Sequence, residues 1–105
     1  MKLLTKEITN KLPLLGSQDG KNPKDVPVVI KFFDPMGSWT WYVTEGEEQP
    51  DGDWMFFGLV RGFESELGYF CLSELQSVKA YRVLGIERDR HFGEHSLAEV
   101  QDKHL

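Results

Sequence analysis

Between Val26 and Leu72 the chain carries β-branched and aromatic residues in short runs, broken by proline, glycine and acidic residues. That block constrains the fold more than any other feature. Val26 to Phe33 predicts a first strand. Pro27 places its start at a sheet edge, because proline cannot donate to a ladder. Asp34-Pro35-Met36-Gly37-Ser38 is turn chemistry. Trp39 to Glu45 then alternates Trp39, Trp41 and Val43 against Thr40, Tyr42 and Thr44, the period of a sheet with two unlike faces. Trp54 to Arg61 is apolar on both faces, as in a central strand, and Leu67 to Leu72 is a fourth strand. The connections are too short for parallel crossovers, so the strands should form an antiparallel meander.

The flanks predict helices. Leu4, Ile8 and Leu12 recur at a spacing of four, with Thr5 as cap and Pro13 as stop, so residues 3 to 12 read as a helix. Gly16 to Lys24 reads as an exposed loop and Gly46 to Asp53 as an acidic hairpin loop. Ser73-Glu74-Leu75-Gln76 and Ser96-Leu97-Ala98-Glu99 both match a capping box. The first should open a short helix ending near Lys79, the second a helix to about Lys103. Val83 to Phe92 holds an edge strand around Gly85-Ile86-Glu87. The expected architecture is one α+β domain over residues 1–105, an antiparallel sheet of four to five strands with short helices on one face.

The net charge of −5 opposes broad binding to a phosphate backbone. Lys2, Lys6, Lys11, Lys21, Lys24, Arg82, Arg88 and Arg90 read as surface charge. Cys71 is the single cysteine, within an apolar run, and reads as an inert buried thiol. The N-terminal residues lack the apolar core of a signal peptide and no run reaches membrane-spanning length, so the expected compartment is the cytoplasm, without a membrane partner.

Three sets of residues carry candidate chemistry. Asp34, Glu64, Glu66, Glu74, Glu87 and Asp89 lie at predicted strand ends or turns, and either Glu64-x-Glu66 or Glu87-x-Asp89 offers two hard oxygen ligands on one side of a strand. A chain with 17 acids forms such pairs by chance as well. His91-Phe92-Gly93-Glu94-His95 spaces two histidines for zinc on a helix, but Gly93 and the cap at Ser96 predict a loop. His91 beside Asp89 is the candidate for proton transfer. Trp39, Trp41, Tyr42, Trp54, Phe56 and Phe57 either fill a core or stack unpaired bases. Lys31 and Arg61 are the only basic residues of the first three strands, which favours packing. One face should be buried; the other, with Thr40, Tyr42 and Thr44, is either covered by the terminal segments or open to a partner.

Several strings together resemble a known family. They are Leu3-Leu4-Thr5-Lys6-Glu7-Ile8, Lys31-Phe32-Phe33, Trp39-Thr40-Trp41-Tyr42, Phe56-Phe57-Gly58-Leu59-Val60, Gly62-Phe63-Glu64-Ser65-Glu66-Leu67-Gly68-Tyr69-Phe70, Leu72-Ser73-Glu74-Leu75 and Ile86-Glu87-Arg88-Asp89. They are similar to a family of small bacterial proteins classified as a domain of unknown function, encoded largely on plasmids, integrative elements and phages. Some of those proteins bear the label single-stranded DNA endonuclease. The resemblance spans about residues 3 to 100 and implies a mobile-element accessory protein. Two readings follow. The first is a non-enzymatic binding or inhibitory module with no cofactor, in which Trp39, Trp41, Tyr42 and Trp54 meet a protein partner, such as a host defence nuclease in a counter-defence role. The second is a nuclease acting on single-stranded DNA with Mg²⁺ or Mn²⁺, with Glu64, Glu66 and Glu74 as catalytic residues and Glu64, Glu66, Glu87 and Asp89 as metal ligands. A free sheet edge at Val26 or Leu72 leaves both monomer and homodimer open.

Overall fold

The structure, a computed structural model, describes residues 2–78, 84–103 and 105. In chain order its elements are α1 (Lys6–Thr9), β1 (Pro27–Val28), β2 (Ile30–Phe33), β3 (Thr40–Glu48), β4 (Trp54–Arg61), β5 (Ser65–Cys71), α2 (Leu72–Ser77), β6 (Glu87–Arg88), β7 (His95–Ser96) and α3 (Leu97–Asp102), with a 3₁₀ turn at Pro23–Asp25. The expected helix end near Lys79, the surface reading of Arg82, the strand start at Val83 and the residue His104 fall outside the described residues.

The predicted meander forms. β2, β3, β4 and β5 pair antiparallel in sequence order, and β6 joins the outer side of β2, giving the order β5-β4-β3-β2-β6. The first reversal is held by Asp34, whose carboxylate accepts from the Met36 amide at 3.0 Å while its own amide donates to Trp39 O at 3.0 Å. The single strand expected over Val26–Phe33 is broken at Val29. Its first part, β1, pairs with β7 as a separate two-stranded ladder.

β3 outruns its predicted end, taking in Gly46–Glu48 of the expected acidic loop as they pair with Phe56–Trp54, and it carries a bulge. Val43 pairs with Gly58, yet Glu45 pairs with Phe57, so Thr44 is an extra residue. The bulge reverses the side-chain parity of the strand. Glu45, which alternation would place beside Trp41 and Val43, moves to the face that carries Phe57. Gly58 is required opposite this kink, since a Cβ there would fall onto the Tyr42 carbonyl.

The register assigns the two faces. Ile30, Phe32, Val43, Phe56 and Phe70 share the first and pack with Leu3, Leu12, Leu75 and Ile86. Phe32 and Phe56 are fully buried there, each contributing about 1.5–3 kcal/mol. The N-terminal segment and α2 cover this face. α1 is shorter than the predicted 3–12 helix, but Thr5 caps it as expected, accepting from Ile8 N at 3.3 Å.

Tyr42 and Leu59 face the other way and pack with Val26, Val28, Leu97 and Val100. The capping box at Ser96 forms, with Ser96 Oγ accepting from Glu99 N at 3.2 Å, and α3 lies across this second face. Helices therefore lie on both faces: α1 and α2 on the expected one, and α3 over Tyr42 and Leu59 on the other, where Leu67 and Tyr69 of β5 stay exposed. Of the two alternatives for Thr40, Tyr42 and Thr44, the covered one holds, since Tyr42 and Thr44 are buried and Thr40 half-buried. Two hydrogen-bonding side chains pin this cover. The Tyr42 hydroxyl donates to Leu105 O at 2.9 Å, and the Arg61 guanidinium donates to Val100 O and Lys103 O at the end of α3. A cation at a helix C-terminus also complements the helix dipole.

The box expected at Ser73 is displaced. Cys71 is the cap, and Glu74 reaches back to the Cys71 amide at 3.2 Å. Ser73 instead donates through its hydroxyl to Asp53 at 2.6 Å, tying the β3–β4 loop to α2. A long-range partner thus displaces the local one that the motif implies.

Candidate functional site

The β4–β5 hairpin ends on the pair Arg61 and Ser65, leaving Gly62, Phe63 and Glu64 as its tip. Gly62 N donates to Glu64 O at 3.0 Å and fixes the reversal. Phe63 projects from this tip with 97% of its surface exposed. Trp39, just before β3, lies flat on Gly62, where a Cβ would intrude on the indole. The Trp39 and Phe63 rings meet edge to face, 5.7 Å apart at 82°, an arrangement favoured by the aromatic quadrupole. Trp41 continues the row 6.0 Å from Trp39. Trp39, Val60, Gly62, Phe63, Glu64 and Glu66 line a cleft of about 290 Å³. It is the end of the first sheet face that the N-terminal segment and α2 leave open. The rings are there because strand parity puts Trp41 and Val60 opposite each other on that face.

The predicted aromatic set divides three ways. Trp39 lines the cleft, and Trp41 stands beside it against the core. Trp54 is on the same face at the other end of β4, stacked on Phe56 at 6.5 Å. Tyr42 is buried on the opposite face.

The predicted carboxylates also divide. Glu64 and Glu66 share the cleft. Glu74 caps α2. Glu87 and Asp89 belong to the far edge, where Asp89 meets Lys31 at 3.5 Å and accepts from His91 N at 2.9 Å. β5 and β6 are four strand spacings apart, roughly 19 Å. Glu64 and Glu66 are thus not brought together with Glu87 and Asp89. Among the described residues no three His, Cys, Asp or Glu side chains converge as a metal site. The stretch from His91 to Gly93 is turn and loop, as expected, with Gly93 at φ 79°. His95 packs on Phe92 at 4.6 Å and pairs with Glu99 at 3.1 Å.

Three residues acquire roles that the pattern did not assign. Phe63 carried a signal, an apolar side chain between Gly62 and Glu64 in a hairpin loop, where polar residues are usual. Glu45 carried none. Its buried carboxylate accepts from Gly16 N at 2.7 Å and Gln18 N at 3.0 Å, partners that only the folded chain brings near. Arg61 reaches α3 across a similar gap in sequence.

Burial pushes the Tyr42 phenol above its ordinary pKa, against the lowering influence of Arg61. Burial and then the Glu74 carboxylate push the Cys71 thiol up, consistent with an inert cysteine. The His95 hydrogen bond, helped by the Ser96 amide, holds Glu99 below the usual carboxylate range.

Among the described residues no helix is long and apolar enough to cross a membrane. No curated protein and no solved structure matches the chain. A family model does match, from residue 3 to residue 102. That span runs from the buried Leu3 under the first sheet face to the last residue of α3 over the second. The chain accordingly belongs to the family described as protein of unknown function (DUF2958).

Proposed function

We propose that this chain is a small non-enzymatic binding module, carried by a mobile element and acting in the cytoplasm, that engages a protein partner through the β4–β5 hairpin tip. The resemblance of its sequence strings supports the mobile-element setting, with a host defence nuclease as one partner of the kind expected there. The observation that carries the reading is Phe63: a phenyl ring 97% exposed, buttressed by Trp39 and set over a cleft. A rigid aromatic anchor beside a pocket has the make-up of an interface hot spot. Tyr42 and Leu59 on the other face, by contrast, are packed under α3.

The test is affinity capture from the native host, with partners identified by mass spectrometry and binding repeated with the purified partner. The parent chain is compared with Phe63→Ser and with a control, Leu84→Ser, at another exposed apolar position. Direct binding that Phe63→Ser abolishes and Leu84→Ser keeps is expected. Binding that survives Phe63→Ser refutes the proposed surface.

One observation favours the second reading, a metal-dependent endonuclease on single-stranded DNA. Glu64 and Glu66 share their cleft with Trp39, an aromatic face able to stack a base. Cleavage of labelled single strands with Mn²⁺ is the assay. Loss of that cleavage in both Glu64→Ala and Glu66→Ala supports this reading; absence of cleavage by the parent, or equal cleavage by both variants, removes it.

A further inference from the structure

The cleft has a polarity as well as a shape. Its wall and floor are aromatic or apolar, from Trp39, Phe63 and Val60, while its remaining side chains are the carboxylates of Glu64 and Glu66. Among the described residues no lysine or arginine lines it. Of the basic side chains of the sheet, Arg61 and Lys31 belong to the other face, engaged with the end of α3 and with Asp89, and Arg88 shares the face of the cleft but sits on β6 at the far edge, where it donates to Leu3 O. Among the described residues neither Glu64 nor Glu66 is in an ion pair. Aromatic faces attract cations through the ring quadrupole. Carboxylates beside them add charge and acceptors for a donor fork.

We infer that this cleft receives an arginine side chain of the partner protein, stacked on the Trp39–Phe63 pair and hydrogen-bonded to Glu64 and Glu66. The inference rests on the binding reading above and names the chemistry of the occupant. A guanidinium suits the site better than an ammonium for a physical reason. It is planar and weakly hydrated, so it stacks on a ring while its edge N–H groups reach carboxylates. An ammonium is compact and strongly hydrated, and loses more solvation on entering an apolar wall.

The experiment is an NMR titration of the full chain with three capped tripeptides, acetyl-Gly-X-Gly-amide, where X is arginine, citrulline or lysine. Citrulline keeps the shape and removes the charge. The arginine peptide should shift the Trp39 indole and the Gly62 and Phe63 amide resonances in a saturable way. The citrulline and lysine peptides should bind roughly three- to tenfold or more weakly. Glu64→Gln with Glu66→Gln should weaken the arginine peptide by a similar factor while leaving the weak citrulline response unchanged. Rising salt should weaken the arginine peptide alone among arginine and citrulline. Equal responses to arginine and citrulline, equal responses to arginine and lysine, an unaffected double variant, or no shift with arginine each overturn the inference. The binding reading fails separately. A captured partner that is lost with Phe63→Ser but kept with the double glutamine variant preserves that reading and rejects the arginine.

Discussion

Glu45→Gln tests the least expected part of the fold. The Glu45 carboxylate is 2% exposed, and both its oxygens accept backbone N–H groups, from Gly16 at 2.7 Å and Gln18 at 3.0 Å. These are charge-assisted bonds, which contribute about 1.5–3 kcal/mol each. Glutamine keeps one acceptor oxygen and turns an NH₂ toward the other amide. One bond is lost, a donor faces a donor, and the surviving bond falls to the neutral range of about 0.5–1.5 kcal/mol. The expected destabilisation is about 3 kcal/mol, or roughly 12–24 °C in Tm for a domain of this size. Urea titration and thermal melting followed by tryptophan fluorescence measure it. Hydrogen exchange should also quicken at the Gly16 and Gln18 amides, while the cleft on the opposite face keeps its resonances. The competing effect is desolvation, since among the described residues no lysine or arginine pairs with Glu45. Stability within about 0.5 kcal/mol of the parent, or an increase, would mean that desolvation outweighs the hydrogen bonds, and the reasoning would be refuted.

Gly62→Ala should displace the Trp39 indole, so the arginine peptide loses affinity several-fold while the urea midpoint moves less than for Glu45→Gln. The Tyr42 phenol has a raised pKa in the folded chain. Its contribution is therefore fully present below the unfolded value near 10 and is lost as pH rises through the folded one. Stability should fall above pH ~10 less steeply in Tyr42→Phe than in the parent, by urea titration at a series of pH values, and Tyr42→Phe should cost about 1 kcal/mol at neutral pH through the lost bond to Leu105. Cys71, half-buried where a buried thiol was expected, has its thiol pushed up and should react with iodoacetamide more slowly at mildly alkaline pH than a free cysteine does, and a rate equal to free cysteine would contradict this.

The sheet was legible in the residues alone. The alternation through Trp39–Glu45, the turn at Asp34–Ser38 and the apolar run Trp54–Arg61 are local signals, and local backbone geometry acts on them directly. The cap at Ser96 was legible for the same reason, since its partner Glu99 is three residues away. The cleft was legible in part: Trp39, Glu64 and Glu66 stand out by type, but nothing in their spacing says that the first meets the other two. The fold brings them together, by laying β3 beside β4 and turning the β4–β5 tip back onto Trp39. The fold also places cover on both faces. One extra residue at Thr44 reverses strand parity, sends Glu45 to the loop around Gly16, and leaves Tyr42 and Arg61 to hold α3. A bulge has no reliable local signature, and hydrogen bonds between residues far apart in the chain have none. For that reason the aromatic block announced a sheet, while the fold chose which of its rings remain free to meet a partner.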